Sequence, residues 1–290
     1  VDWPESSNLK VFRSPKSIQR ATISVDARPI VVVPTMGNLH DGHLSLIRKA
    51  CALRGDDGLV LVTIFVNKTQ FGPSEDFKKY PRTMKTDLAH CRQLGVDIVF
   101  APEDDSMYSN GHSTYVTEER LTKRMEGAAR PAHFRGVTTV VAKLFNLTRP
   151  DIAVFGAKDW QQSTVISRMV DDLNFPVRIV IAPTVREADG LAMSSRNRYL
   201  KSAERTEATV LVECIRLAKR LVCEANSHLT ATVLKRQLKK HVATRRLARL
   251  DYIEFFDPKT LEPAKRIRRG THMALAVFFG NTRLIDNGRL

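Results

Sequence analysis

Apolar residues up to position 182 fall into two kinds of segment. Ile30–Val33, Leu59–Val66, Ile98–Ala101, Ile152–Phe155 and Val177–Ala182 are short and apolar throughout, the pattern of strands buried on both faces of a parallel sheet. Between them, Gly42–Arg54, Thr83–Leu94, Gly136–Asn146 and Trp160–Leu173 carry apolar residues at helical spacing, as in Leu44, Ile47 and Ala50. Strand and helix alternate, which predicts a doubly wound, Rossmann-like α/β sheet. After Pro183 the pattern changes. Two long amphipathic helices, expected over Ser202–Cys223 and Leu229–Leu250, precede strand-like Tyr252–Phe256 and Ala274–Phe279. The expected division is a Rossmann-like domain over 1–182 and a smaller α+β domain over 183–290.

Ligands of a doubly wound sheet bind beyond the carboxyl ends of its strands, and four polar runs fall at or just beyond such ends. The first is Pro34-Thr35-Met36-Gly37-Asn38-Leu39-His40-Asp41-Gly42-His43. A strand, a glycine-bearing turn and a helix starting near Gly42 or His43 make a phosphate site, because unpaired N–H groups and the positive dipole end point at the ligand. His40 and His43 add two side-chain donors. No G-x-x-x-x-G-K-[ST] run occurs, so this is not a P-loop. A histidine pair at a helix start is by itself often structural; here the glycines and the preceding strand favour a nucleotide. The His-x-Gly-His spacing resembles the signature of the nucleotidyltransferase superfamily that includes class I aminoacyl-tRNA synthetases.

The second run, Phe65 to Pro73, offers Asn67 and Gln70 as neutral partners for hydroxyl and carboxylate groups; its bland reading is a loop turning at Gly72-Pro73. The third, Phe155 to Gln162, has Gly156 for close backbone approach, Lys158 as a point charge for phosphate, and Asp159 as either a helix cap or a ligand contact. Gln161 and Gln162 lie about 100° apart on a helix and cannot both face one site; Gln162 is the expected binder and Gln161 is expected to point away. The fourth, Arg186 to Asn197, ends in Met193-Ser194-Ser195-Arg196, where a guanidinium can grip phosphate oxygens; its bland reading is a polar connector.

The formal net charge is +15. From Pro183 onward there are 22 Lys and Arg against 11 Asp and Glu, densest over Lys235 to Arg249. Such a stretch binds a polyanion or forms a solvated helix face; Leu229, Val233, Leu234, Leu238 and Val242 recur near helical spacing, which favours the solvated face and argues against nucleic acid as a partner. The four cysteines, Cys51, Cys91, Cys214 and Cys223, form no C-x-x-C pair, consistent with plain thiols in a reducing cytoplasm. No apolar run is long enough for a membrane span, and no signal peptide is visible at the start of the sequence.

In this order and spacing, the four runs resemble the pantoate–β-alanine ligase family. The likeness extends to Glu75-Asp76-Phe77 with Tyr80-Pro81-Arg82-Thr83, to Arg130-Pro131-Ala132-His133-Phe134 with Lys143-Leu144-Phe145-Asn146, and to Thr282-Arg283-Leu284-Ile285-Asp286-Asn287, and so covers residues 8 to 287. It implies a Rossmann-like domain with a smaller C-terminal lid domain, a homodimer, the use of ATP and Mg²⁺ with pantoate and β-alanine, and a pantoyl-adenylate intermediate. By motif, Met36, Gly37, Asn38, Leu39, His40, Asp41, Gly42 and His43 would line the ATP site, completed by Gly156, Ala157, Lys158, Asp159, Val185, Met193, Ser194, Ser195 and Arg196. His43, with His40, Lys158 and Arg196, would be catalytic. Gln70 and Gln162 would hold pantoate, with Gln70 also near β-alanine, and Asp87 matches a position associated with Mg²⁺. Two residues depart from the family. Lys68 replaces a usual proline, which predicts a looser loop around Gln70, and Ala132 replaces a usual glycine, which predicts strain if φ is positive there.

Pantoate's carboxylate and the α-phosphate of ATP are both anionic, so the cationic groups and the helix N-terminus have a clear task. No dedicated base for the β-alanine amine stands out. An adenylyltransferase acting on a phosphate-bearing substrate is the rival enzyme; the two glutamines suit a diol and a carboxylate better. A nucleic-acid binder would need basic runs interleaved with aromatics, and none is present.

Overall fold

The computed structural model of the chain describes residues 9–73, 75–225 and 229–290. They divide into two compact units. One comprises the described residues up to Ala157 together with Val165–Pro183; the other comprises Lys158–Thr164 and the described residues of Thr184–Leu290.

The first unit runs β1 (Lys10–Phe12), α1 (Pro15–Ile23), β2 (Ile30–Thr35), α2 (Asp41–Arg54), β3 (Leu59–Ile64), α3 (Met84–Gln93), β4 (Ile98–Phe100), α4 (Asp104–Met107), α5 (Glu126–Ala129), α6 (His133–Thr148), β5 (Ile152–Gly156), the C-terminal part of α7 (Trp160–Asp172) and β6 (Arg178–Ala182). The six strands are all parallel, in the order β1-β4-β3-β2-β5-β6. Every residue of β3, and every residue of β2 except Pro34, is buried, as a sheet covered on both faces requires. Val31, Val33, Val60, Val62 and Val99 pack with Ile47 and Ala50 of α2 and Cys91 of α3. From β2 the chain steps outward through β3 and β4, then returns to β5 on β2's other side (Val31 opposite Ile152, Val32 opposite Ala153). The loops leaving β2 and β5 therefore diverge from neighbouring strand ends, the switch point where ligands of such sheets bind. The first run leaves β2, and Gly156-Ala157 end β5.

β1 and α1 were not foreseen from the apolar pattern. β1 is three half-buried residues. The start of α1 has a local signal: the Ser14 side chain accepts from the Ser17 N–H and Pro15 opens the first turn.

The second unit holds the N-terminal turn of α7, then α8 (Ser202–Glu207), α9 (Val210–Glu224), α10 (Ala231–Val242), β7 (Ala248–Phe256), β8 (His272–Phe279) and β9 (Thr282–Arg289). The strands form an antiparallel sheet in that order. Leu211, Ile215 and Ala218 of α9 and Leu234, Leu238 and Val242 of α10 bury against Ile253, Phe255, Leu275 and Val277. Two expectations are corrected. The stretch Ser202–Cys223 is two helices, and the second amphipathic stretch is helical only to Val242, because Ala248, Arg249 and Leu250 already pair with Phe279, Phe278 and Val277. The basic stretch therefore spans a helix end, a turn and a strand start. Within it Lys235 pairs with Glu254 and Arg245 with Glu213, both at 2.7 Å, and Arg249 lies 4.1 Å over the Phe278 ring; Arg236, Lys239, Lys240 and Arg246 are exposed. The four cysteines are free thiols. Among the described residues, no helix is long and apolar enough to cross a membrane.

Candidate active site

The turn after β2 is built on residues that tolerate left-handed backbone. Gly37 has φ +76° and Asn38 φ +50°. A methyl group on Gly37 would stand 2.9 Å from Ile64 Cγ2 and 3.0 Å from Asp87 Oδ2, so no larger residue fits. The N–H groups of Asn38 and Leu39 then donate to the two oxygens of Asp87, at 3.0 and 2.9 Å, and the Thr83 hydroxyl reaches the same carboxylate at 3.1 and 3.2 Å. Asp87 is 1% exposed. The residue expected at Mg²⁺ thus anchors the loop that leads to His40.

His40 is the N-cap of α2, and its Nδ1 accepts from the Gly42 N–H at 3.2 Å; His43 Nδ1 accepts from the His40 N–H at 3.3 Å. The ring centroids are 4.0 Å apart. A neutral imidazole that accepts at Nδ1 carries its hydrogen on Nε2, so this hydrogen-bond pattern assigns both histidines the same tautomer, each with an Nε2–H donor. They do so at the N-terminus of a 14-residue helix, where the dipole favours an anion.

Gln70 ends a 3-10 turn over Lys68–Gln70. Asn67 fixes its amide. The Asn67 Nδ2 donates to the Gly136 carbonyl at 3.1 Å and to Gln70 Oε1 at 2.9 Å, while Asn67 Oδ1 accepts from the hydroxyls of Tyr108 and Thr69 at 2.8 and 2.9 Å. A carbonyl can only accept, so the Asn67 orientation is settled, and with it that of Gln70. Gln70 Nε2 is left as a donor, 3.4 Å from the weak acceptor Met36 Sδ. Burial pushes the Tyr108 phenol up to about 12, which keeps it a donor. The turn is also held from behind. A methyl on Gly136 would lie 2.6 Å from Gln70 Cα. His133 Nδ1 meets the Gln70 carbonyl at 2.9 Å and so carries the hydrogen, and Arg130 Nη1 approaches His133 Nε2 at 3.2 Å. Burial, helped by the Arg130 charge, pushes His133 down to about 4. Arg130 also binds both oxygens of Glu75, at 2.7 and 2.5 Å; its hydrogen bonds and charge outweigh burial and hold the Glu75 carboxyl below its ordinary value. These ties oppose the loosening expected from Lys68, which is exposed. Ala132 has φ −91°, so the strain considered for it does not arise.

In the second unit the predicted residues occupy two segments. On the first, Lys158 Nζ lies 3.6 Å from Asp159 Oδ1. Gln162 is half-buried, and Gln161 is buried at 6% exposure. On the second, the Met193 N–H donates to the Val185 carbonyl at 3.0 Å and Arg186 bridges to Ala192 across the turn at Gly190 (φ +98°). Ser194 accepts from the Arg196 N–H and caps the turn that holds Ser195 and Arg196. Both segments hang from β9. Buried Asp286 binds the Arg186 guanidinium with both oxygens, at 2.6 and 3.0 Å, and Asn287 Nδ2 donates to the Lys158 carbonyl at 2.7 Å. Gly156 closes β5 beside β2; a methyl there would meet only Leu46, at 3.9 Å, so close packing does not require the glycine. Asn67, expected to meet substrate, instead orients Gln70. The supporting residues Tyr108, Glu75, Arg130, His133, His272, Asp286 and Asn287 had no assigned role in the sequence; five of these seven stand in segments that carried the resemblance.

Comparison with known proteins agrees with this fold. The family model described as pantoate-beta-alanine ligase matches residues 10–289. The pantothenate synthetase of Moorella thermoacetica is 51% identical over 258 residues, 89% of each chain, and that of Chloroherpeton thalassium is 46% identical over 287 residues, 97% of this chain and 99% of the relative. Among solved structures, the pantothenate synthetase of Thermus thermophilus matches with a TM-score of 0.89 at 39% identity, covering 97% of this chain and 99% of its own. The pantoate-beta-alanine ligase of Francisella tularensis, solved with beta-gamma ATP and beta-alanine, matches with a TM-score of 0.78 at 30% identity over 97% and 98%. A match from the first strand to the last, over a sheet whose switch point carries a capped histidine pair, places the chain in the pantoate–β-alanine ligase family.

Proposed function

We propose that the chain condenses pantoate with β-alanine, converting ATP to AMP and pyrophosphate through a pantoyl adenylate. The observation that carries this reading is the pair of Nε2–H donors on His40 and His43 at the N-terminus of α2. A pantoate carboxylate oxygen attacks the α-phosphorus, the bond to the bridging oxygen breaks, and pyrophosphate leaves. Negative charge on the phosphoryl oxygens grows in the transition state, where the histidine donors, the Lys158 ammonium and the Arg196 guanidinium act. The neutral amine of β-alanine then attacks the acyl carbon, AMP leaves, and the amine gives up a proton to form the amide. Gln70, oriented as a donor, suits an oxygen of pantoate, and Gln162 is its partner in this role.

The described residues do not fit a protein-held Mg²⁺. No three His, Cys, Asp or Glu side chains cluster as ligands, and the Asp87 oxygens are already engaged. Mg²⁺ is commonly carried on substrate phosphates, and no step above passes through a metal on the protein. The same proposal includes a cytoplasmic homodimer, for which sedimentation equilibrium is the direct check.

The test is exchange of labelled pyrophosphate into ATP. Pantoate should trigger it without β-alanine. Exchange triggered by an amino acid, or none with pantoate, sinks the proposal.

A further inference from the structure

Lys158 lies two residues past the end of β5, on the connection between two strands of the parallel sheet, yet Lys158–Thr164 groups with the C-terminal unit. The hydrogen bonds show why. Asn287 on β9 donates its Nδ2 to the Lys158 carbonyl at 2.7 Å. Its Oδ1 therefore faces His272 Nε2, at 2.9 Å, as an acceptor, which places the ring hydrogen on Nε2. His272 Nδ1 is buried with no hydrogen-bond partner, so a protonated ring would bury a second N–H with nothing to receive it; burial accordingly pushes the His272 pKa below its ordinary value. The Trp160 indole stacks on this ring at 4.3 Å and 23°, and its Nε1–H donates to the Pro258 carbonyl at 2.9 Å. Every group in the chain of contacts has one allowed orientation, and the chain ends on the backbone of Lys158.

We propose that Asn287, oriented by His272, is a positioning residue that sets the Lys158 ammonium for adenylate formation. The proposal rests on the role given to Lys158 above. Asn287 touches neither substrate nor reacting atoms in this account; it acts only through the Lys158 main chain. A misplacement of a reacting group by about 1 Å costs on the order of 10²-fold in rate, so a single backbone hydrogen bond has leverage here.

The test is a double-mutant cycle on pantoate-dependent pyrophosphate exchange, with Lys158→Ala, Asn287→Asp and the double variant. Asp at 287 can still accept from His272 but sets an oxygen against the Lys158 carbonyl. The expected result is a fall in kcat of about 10- to 100-fold for Asn287→Asp alone, and less than about twofold further loss when it is added to Lys158→Ala, because contacting residues of one network are not additive. An equal factor in both backgrounds marks a merely structural residue and overturns the proposal, as does unchanged kcat in Asn287→Asp. If Lys158→Ala itself leaves exchange intact, the role of Lys158 fails and this proposal falls with it; if Lys158→Ala is crippled and the coupling is absent, only this proposal falls. If Asn287→Asp does not fold, His272→Leu and His272→Gln read the same link. Gln retains an N–H for Asn287 and should recover most of the exchange that Leu loses; equal loss in the two overturns the proposal.

Discussion

Asp87 is a buried carboxylate whose oxygens are met by two backbone N–H groups and one hydroxyl, and those N–H groups belong to residues 48 and 49 positions away. That separation is why its place was visible in the sequence and its contacts were not: a run of residues displays local spacing, as with His40 and His43, but not its distant partners. Asp87→Asn turns an NH₂ toward one of those N–H groups and leaves a buried donor unmatched, at about 1–3 kcal/mol for each such group. Urea unfolding should register that loss, and pyrophosphate exchange should slow with an unchanged half-saturating Mg²⁺ concentration. A raised Mg²⁺ requirement at full stability would make Asp87 a metal ligand after all. His133 gives a second expectation. Its folded pKa of about 4 lies below the ordinary histidine value of 6.5, so the unfolded chain binds a proton between these limits and the folded chain does not. Stability from this residue is complete above pH 6.5 and is lost as pH falls toward 4, by as much as about 3 kcal/mol at 1.36 kcal/mol per unit. His133→Gln, compared with the unaltered chain at pH 7 and pH 4.5, should flatten that part of the profile.

Elements were legible where apolar residues crowd one face or fill both, as in β2, β3 and α2, and were missed where pairing with a distant strand decides. Residues 244–250 contain Leu247 and Leu250 at helical spacing and several good helix formers, so the periodicity of α10 runs on into what is the first part of β7; pairing with β8 overrides it. β9, TRLIDNGR, mixes apolar and polar residues too evenly to declare itself. The meeting of α6 with the 3-10 turn of Gln70 is likewise invisible in sequence, because a glycine does not say what it lies against. Gly136→Ala should push that turn away, since the added methyl overlaps the Thr69 carbonyl. Overpacking of this kind costs about 1–3 kcal/mol, and the KM for pantoate should rise about tenfold or more while that for ATP changes little. Equal effects on both substrates would separate Gln70 from pantoate.

The whole molecule carries a charge of +15, and its densest part is tied to the fold by the pairs of Lys235, Arg245 and Arg249. Lys239 and Lys240 lie exposed in the last turn of α10, where cations favour the helix dipole. Replacing both with Gln should alter stability by less than about 1 kcal/mol and leave ligase turnover unchanged. Salt-sensitive RNA retention by the unaltered chain, reduced in this variant, would instead mark the surface as a polyanion site. The parallel sheet was legible because its strands read as unbroken apolar runs; their order was not, and neither was the membership of residues 158–164, since nothing local distinguishes them from the rest of the β5–α7 connection. That membership bears on recombination between relatives. A chimera spliced at a single point near residue 183 would take Asn287 and His272 from one parent and Trp160 and Lys158 from the other. The heritable module is discontinuous, two stretches of chain that must be inherited together.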